Sequence, residues 1–186
     1  MLLKNKKTLI VQFTILFLFI PIFLGAMNIN QVVFLKKDGT GSLTISYFAK
    51  ESEVKEKNFL IGNFPFQKEK LDEYFGTKNT KIYSSSIEKN AKDNSSLQVT
   101  VTITFGSITH LSQMKAFSGV NISLNQTDTG KVFRNVITPD FITTNSLENV
   151  YINFKYDEDI KSTNANAREG KNINVIIVTS YVYIFQ

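Results

Sequence analysis

LQVTVTITF, residues 97–105, alternates apolar and polar side chains without a break. Successive side chains of a β-strand point to opposite faces, so one register buries five apolar groups and leaves four polar groups in water. A helix would scatter the same residues around its circumference. The stretch therefore predicts a β-strand in an antiparallel sheet that has one buried face.

Other segments repeat this two-residue period. Alternation of the same kind runs through residues 42–49, 120–124 and 150–156, with a further strand around Val32 to Leu35. The segment from Ile173 to Phe185 is apolar on both faces, which indicates a strand covered on two sides or bent near Thr179-Ser180. The chain is therefore expected to be built mainly from strands.

Two turn signals separate these strands. Asp38-Gly39-Thr40-Gly41 precedes the strand that starts at Ser42, and Asp128-Thr129-Gly130 lies between Leu124 and Val132. Asp-Gly and similar pairs adopt the positive φ angles of tight hairpins. Both stretches predict β-hairpin turns. The long polar segment from Asp157 to Asn172 has no periodicity and is expected to be a loop.

Helices are expected to be short and few. Residues 68–75 form one candidate, closed by Gly76, and residues 52–57 form another. A third starts at Ser107 as its N-cap and ends before Gly119. Its inward-facing residues would be Ile108, Leu111, Met114 and Phe117.

The fold class follows from these elements. We expect an α+β, β-rich domain with a mainly antiparallel sheet or partly open barrel of about seven to eight strands and two or three short helices. A single domain over residues 27–186 is long enough to bury a core without metals or cross-links.

Residues 1–26 have the features of an export leader. Lys4, Lys6 and Lys7 precede 19 uncharged residues, Thr8 to Ala26, and Gly25-Ala26 are small enough for signal cleavage. The apolar stretch is also long enough for an uncleaved membrane anchor over residues 8–26. Either way, the lysines keep the N-terminus in the cytoplasm. The domain is thus expected in the periplasm, at the cell surface or secreted.

Composition excludes several classes of site and partner. The chain has no Cys and one His, which excludes a disulfide scaffold and the usual zinc, iron–sulfur and haem sites. Met27 stands where a lipoprotein signal ending in Leu24-Gly25-Ala26 would need a cysteine. The charges of the domain interleave and nearly balance, as in Lys55-Glu56-Lys57, so nucleic acid is not an expected partner.

The candidate chemical groups have simpler structural explanations. His110 would lie on the exposed side of its helix, and no nucleophile motif accompanies it. Asp128-Thr129-Gly130 resembles an aspartic protease triplet but occurs once, at a predicted turn. Asp157-Glu158-Asp159 is a solvated charge run, because neighbouring side chains of an extended chain point apart. The triplets beginning at Asn94, Asn121 and Asn125 could accept a glycan, but chance predicts as many of them as occur.

The order of the motifs resembles the LppM-type domain of bacterial envelope proteins. The motifs are the Asp38–Gly41 turn with its following strand, the run from Phe105 through Ser112 to Phe117, and Ser162-Thr163-Asn164-Ala165 before Gly170-Lys171. The resemblance implies an exported, β-rich domain, often tethered to the membrane, that binds a lipid or an envelope component. The chain departs from the family by having no Trp in its final strand region.

These observations favour a non-catalytic envelope domain that binds a lipid, a glycolipid or another envelope component. The supply of 16 Phe and 7 Tyr is consistent with an apolar groove as well as a core. A small outer-membrane β-barrel is the alternative, and an enzyme that uses His110 as its general base is the third possibility. No catalytic, cofactor or metal residues are predicted, and the binding residues cannot be assigned from the sequence.

Overall fold

The computed structural model of the protein describes residues 27–128, 130–157, 167–169, 171–177 and 182–185. The expected leader, residues 1–26, lies outside these ranges. So do residues 158–166, which hold part of the expected charge run and closing turn, and the expected bend at Thr179-Ser180.

The described chain forms twelve strands, three short α-helices and two 3₁₀ helices. The strands are β1 Met27–Leu35, β2 Gly41–Lys50, β3 Leu60–Ile61, β4 Phe64–Pro65, β5 Thr80–Asn90, β6 Asp93–Phe105, β7 Val120–Thr127, β8 Gly130–Ile137, β9 Leu147–Tyr156, β10 Ala167–Glu169, β11 Asn172–Ile177 and β12 Val182–Phe185. The helices are α1 Glu51–Glu56, α2 Lys68–Phe75, α3 Pro139–Thr144, η1 Ile108–Gln113 and η2 Lys115–Phe117.

Seven strands form the main sheet in the order β10-β11-β9-β1-β2-β6-β5. All neighbours are antiparallel except the central pair β1 and β9, which is parallel. A three-stranded sheet, β12-β8-β7, and a two-stranded hairpin, β3-β4, complete the fold. The expected β-rich α+β fold with a mainly antiparallel sheet is confirmed.

The main sheet has one core face and one solvent face, as the alternation in β6 predicts. Val99, Val101 and Ile103 are fully buried. On the opposite face, hydroxyl groups pair across the strands, with Thr44 3.2 Å from Thr102 and Ser46 3.0 Å from Thr100. This division between apolar and polar faces fixes the register of β6 against β2, because a slip by one residue would bury the threonines.

An aromatic cluster fills one part of the core face. Tyr47 of β2 packs against Phe64, Phe66 and Phe75, and its hydroxyl donates a hydrogen bond to the carbonyl oxygen of Pro65. Burial raises the pKa of the Tyr47 phenol well above its usual value. Many of the phenylalanines therefore belong to the core, and an aromatic surplus no longer argues for an exposed groove.

Both expected hairpin turns are confirmed. Gly39 adopts a positive φ of 90°, and the Asp38 carboxylate accepts a hydrogen bond from the Thr40 amide at 2.9 Å. At the second hairpin, Thr127 pairs with Gly130, so Asp128 lies at its tip. Both turns connect antiparallel neighbours, β1 with β2 and β7 with β8.

The helix expected from Ser107 is different in the structure. Two 3₁₀ helices, η1 and η2, replace a single α-helix, and the Ser107 side chain does not cap the first of them but contacts Thr109 at 3.0 Å. The four residues expected to face inward are all buried. Their spacing of three residues matches the three-residue turn of a 3₁₀ helix.

Several elements differ from the sequence predictions or were missed by them. The expected helices at residues 52–57 and 68–75 are confirmed as α1 and α2, whereas β5 and α3 were not predicted. The loop from Asp157 to Asn172 contains strand β10. The final apolar segment is divided into β11, in the main sheet, and β12, in the three-stranded sheet. Within the described ranges, no helix has the length and apolar character to cross a membrane.

Candidate binding site between the two sheets

A cleft lies where the three-stranded sheet packs against the main sheet. Its wall on the main sheet consists of Gln31 and Val33 of β1, Leu43 of β2, and Ile152 and Phe154 of β9. The alternation of these strands directs the five side chains to the core face. We call this space the inter-sheet cleft.

The opposite wall comes from the small sheet and the 3₁₀ helices. Ile122 of β7 and Phe133 and Asn135 of β8 face the main sheet, and Ile108, Leu111 and Phe117 close one side. Ile122 and Asn135 are directly paired across β7 and β8. The lining is therefore apolar except for two amide side chains, Gln31 and Asn135.

The inter-sheet cleft is narrow in this structure. The cavity volume of the cleft is about 20 Å³. By the same measure, a cavity needs roughly 10–15 Å³ to hold a single water. This space holds one or two waters and no larger ligand. A larger apolar guest would need the two sheets to separate.

Two amide groups inside the cleft stand out chemically. Gln31 is only 4% exposed although it occupies a core position of β1 between Ile29 and Val33. The side-chain oxygen Oδ1 of Asn135 is buried, and no group in the described part of the chain donates a hydrogen bond to it. A buried acceptor without a donor raises the free energy of the folded state. Asn135 Oδ1 therefore favours a ligand that carries a hydroxyl or amide hydrogen.

The small sheet is attached through a compact joint. Gly119, between η2 and β7, has a φ of 95°, and its carbonyl oxygen accepts a hydrogen bond from the Thr138 amide at 3.2 Å. Thr138 is also the N-cap of α3, where its hydroxyl accepts a hydrogen bond from the Phe141 amide at 3.2 Å. Both ends of the β7-β8 hairpin therefore meet at one point.

His110 is not on the exposed side of its helix, which corrects the sequence expectation. The side chain is half-buried, and no described group hydrogen-bonds to its buried Nδ1 atom. The 3₁₀ geometry of η1 rotates His110 further towards the core than an α-helix would, since each residue turns by 120° and not 100°. No carboxylate of the described residues orients the ring, as a Ser-His-Asp mechanism would require.

The other candidate groups do not come together. Asp128 is exposed at its hairpin tip, and Asp157 is exposed after β9. Asn94, Asn121 and Asn125 are exposed on strands. Nowhere in the described ranges do three His, Asp or Glu side chains gather as a metal site would require.

The site residues were not found from the sequence. Gln31 carries a weak signal, because it interrupts the apolar positions of an otherwise regular strand. Asn135 carries none, since neither the pairing of β8 with β12 nor the packing of β8 on the main sheet is encoded near it in the sequence. Periodicity identifies which face of a strand is buried but not which two sheets face each other.

A comparison with solved structures finds the NMR structure of the folded domain of LppM from Mycobacterium tuberculosis. The match has a TM-score of 0.56 and 17% sequence identity, and covers 87% of this chain and 89% of that chain. This chain thus has the fold of the LppM folded domain, as the motif order suggested. No protein-family model matches the sequence, and no curated protein does.

Proposed function

We propose that this chain is a non-catalytic domain of the bacterial cell envelope that binds the acyl chain of a lipid or glycolipid in the inter-sheet cleft. The observation that carries the proposal is the position of the cleft. Its apolar lining lies between two sheets that share no strand pairing in the described part of the chain. Side-chain packing, the joint at Gly119 and a hydrogen bond from Lys131 Nζ to the Lys37 carbonyl oxygen hold them together. The export leader expected over residues 1–26 and the LppM-like fold support the envelope setting.

Binding requires the cleft to open. The ring stack between Phe133 and Phe154 and the apolar contacts around it hold the small sheet against the main sheet. Separation exposes Val33, Leu43 and Ile122, and an acyl chain covers them again. The closed form is then the empty state, and the ligand replaces protein contacts with its own.

The buried amides fit a polar group close to the acyl chain. Asn135 Oδ1 accepts a hydrogen bond, and the Gln31 amide both donates and accepts. A glycerol or sugar hydroxyl next to an ester carbonyl satisfies both groups. A hydrocarbon without such a group leaves Asn135 unpaired and is expected to bind more weakly.

The test is lipid recovery from the full chain produced with its leader. Solvent extraction and mass spectrometry of the purified chain are expected to yield a bound lipid at close to one per chain. The variant Val33→Phe fills the cleft from the main sheet and is expected to lose that lipid.

The matched control is Val32→Phe, the neighbouring position on the solvent face of the same strand. It is expected to retain the lipid. Circular dichroism of both variants separates loss of binding from loss of fold, and Ile122→Phe repeats the test from the opposite wall. A folded Val33→Phe chain with undiminished lipid would contradict the proposal.

A further inference from the structure

Strand β5 is one edge of the main sheet. The strand order ends on it, and its ladder with β6 covers one side only. No other strand of the described chain lies against its second side. An edge of this length presents a row of backbone N–H and C=O groups that another strand can pair with.

A β-bulge divides β5. Ile82 pairs with Ile103 and Ser84 with Thr102, so Tyr83 is an extra residue in the ladder. Tyr83 is 78% exposed, the most exposed large hydrophobic side chain of the described residues. Bulges often protect an edge by twisting it away from pairing. This bulge also shifts the register of β5 against β6 by one residue.

The bulge makes β5 symmetric about Ser85. Measured in rungs of the ladder with β6, Ile82 and Ile87 both lie two rungs from Ser85, with their side chains towards the core. Lys81 and Glu88 both lie three rungs away, exposed on the solvent face. Without the extra residue, these pairs would not be equidistant.

We propose that β5 is the interface of a homodimer, in which a second copy of this chain pairs antiparallel with it about a two-fold axis at Ser85. In this register Ile82 lies opposite Ile87, and Lys81 lies opposite Glu88. Each pair occurs twice, because the two-fold axis repeats it. The main sheets of both copies then join into one continuous sheet.

Charge complementarity is the reason for choosing a second copy as the partner. Lysines usually guard a sheet edge by repelling another strand, but here each Lys81 meets a carboxylate. Neither Lys81 nor Glu88 has an oppositely charged partner in the described part of one copy. The remaining edge lysine, Lys89, is already paired with Glu51.

The interface is separate from the inter-sheet cleft. Strand β6 lies between β5 and the cleft-lining strand β2. Dimerisation therefore does not depend on lipid binding, and the Val33→Phe variant is expected to dimerise normally.

The chain has no cysteine, so a single introduced thiol reports the register directly. Ser85 lies on the axis, where directly opposite Cβ atoms of an antiparallel pair are about 4.5–5.5 Å apart, close enough for a disulfide after small adjustments. The full chain with Ser85→Cys, expressed with its leader and oxidised, is expected to shift from monomer to dimer on a non-reducing gel.

Two register controls use the residues beside the axis. In Lys81→Cys alone or Glu88→Cys alone, the thiol is six rungs, about 20 Å, from its copy, so the chain is expected to stay monomeric. Coexpression of both single variants is expected to give the mixed disulfide dimer. If either variant alone cross-links as well as Ser85→Cys does, the proposed register is wrong.

Charge reversal tests the pairing of Lys81 with Glu88. In the Ser85→Cys background, Lys81→Glu or Glu88→Lys places like charges opposite each other and is expected to reduce the dimer, whereas the double reversal restores it. A folded Ser85→Cys chain that remains monomeric would overturn the proposal. If that variant fails to fold, coexpressed Ser84→Cys and Ser86→Cys chains replace it, because these positions are opposite in the same register.

Discussion

The ring of Phe133 stacks on the ring of Phe154, with centroids 4.7 Å apart and planes inclined by 29°. Phe133 belongs to β8 and Phe154 to β9, so this contact joins the three-stranded sheet to the main sheet. Both rings line the inter-sheet cleft. The packing that stabilises the closed form is thus the packing that a bound acyl chain must replace.

Replacing Phe133 with alanine is expected to lower the free energy of unfolding by about 3 kcal/mol, because truncation of a buried phenylalanine leaves a cavity as well as exposing apolar surface. Urea unfolding followed by circular dichroism measures this. The control is Phe34→Ala on the solvent face of β1, where the side chain is 39% exposed and the expected loss is below about 1 kcal/mol. Equal losses would show that Phe133 does not hold the sheets together.

Removing the Tyr47 hydroxyl is expected to destabilise the aromatic cluster. The variant Tyr47→Phe retains the ring but leaves the Pro65 carbonyl oxygen without its buried donor, which costs about 1–3 kcal/mol. The control Tyr83→Phe removes a hydroxyl from a ring that is 78% exposed and is expected to leave the urea midpoint unchanged. A Tyr47→Phe midpoint equal to that of the unaltered chain would contradict this role.

Two glycines with different backbone geometry provide a matched pair. Gly119 has a φ of 95°, and a Cβ there would lie 3.1 Å from Thr138 Oγ1 and 3.3 Å from Phe141 Cβ. Gly119→Ala is therefore expected to lower the thermal midpoint, with a loss of more than about 1 kcal/mol. At Gly106 nothing lies within 4 Å of a Cβ, so Gly106→Ala is expected to be neutral or slightly stabilising. The reverse order of thermal midpoints would contradict the structure of the joint.

Asp93 is expected to make stability depend on pH in acid. Hydrogen bonds from the Ser95 hydroxyl, the Ser96 hydroxyl and the Ser95 amide lower the pKa of its carboxyl from 3.8 to about 2. A lowered pKa stabilises the folded state above the unfolded pKa, and this stabilisation is lost as the pH falls from about 4 towards 2.

The variant Asp93→Asn tests this dependence. It is expected to have a lower thermal midpoint than the unaltered chain at pH 6, and the difference is expected to shrink as the pH approaches 2. Ser96→Ala removes one of the donors and should give a smaller change in the same direction. A difference that is constant from pH 6 to pH 2 would mean that the Asp93 carboxylate does not contribute through its charge.

Strands with one buried face could be predicted because their information is local. The alternation in β6 directly specifies its core residues, and the Asp38-Gly39 turn specifies the hairpin that joins β1 and β2. α2 was predicted with its observed bounds, Lys68 to Phe75, because the apolar spacing and the following Gly76 agree. In each case the signal lies within about ten residues of the element it describes.

Elements stabilised by distant partners could not be predicted. β5 carries Ser84-Ser85-Ser86 at its centre and has little strand signal of its own, so its pairing with β6 holds it in place. η1 was expected to be an α-helix because a three-residue spacing of apolar groups fits both helix types. α3 was missed although Thr138 caps it and Pro139 starts it, since it has only one buried residue.

The inter-sheet cleft could not be predicted from the sequence for the same reason. It depends on a parallel pairing of β1 with β9, which are separated by more than a hundred residues, and on the attachment of β12 to β8. No local pattern in the sequence specifies either contact. The expectation of an envelope lipid ligand came from the leader and the motif order, and it stays a prediction, as does the absence of enzymatic activity.

Methyl NMR of the chain titrated with a long-chain monoacylglycerol tests the central claim most directly, because it reports where an acyl chain binds. The resonances of Val33, Leu43 and Ile122 in the inter-sheet cleft are expected to shift. Those of Val54 in α1 and Leu71 in α2, which are buried but do not line the cleft, are expected to stay in place. Shifts confined to exposed methyl groups, or no shifts at saturating lipid, would contradict lipid binding between the sheets.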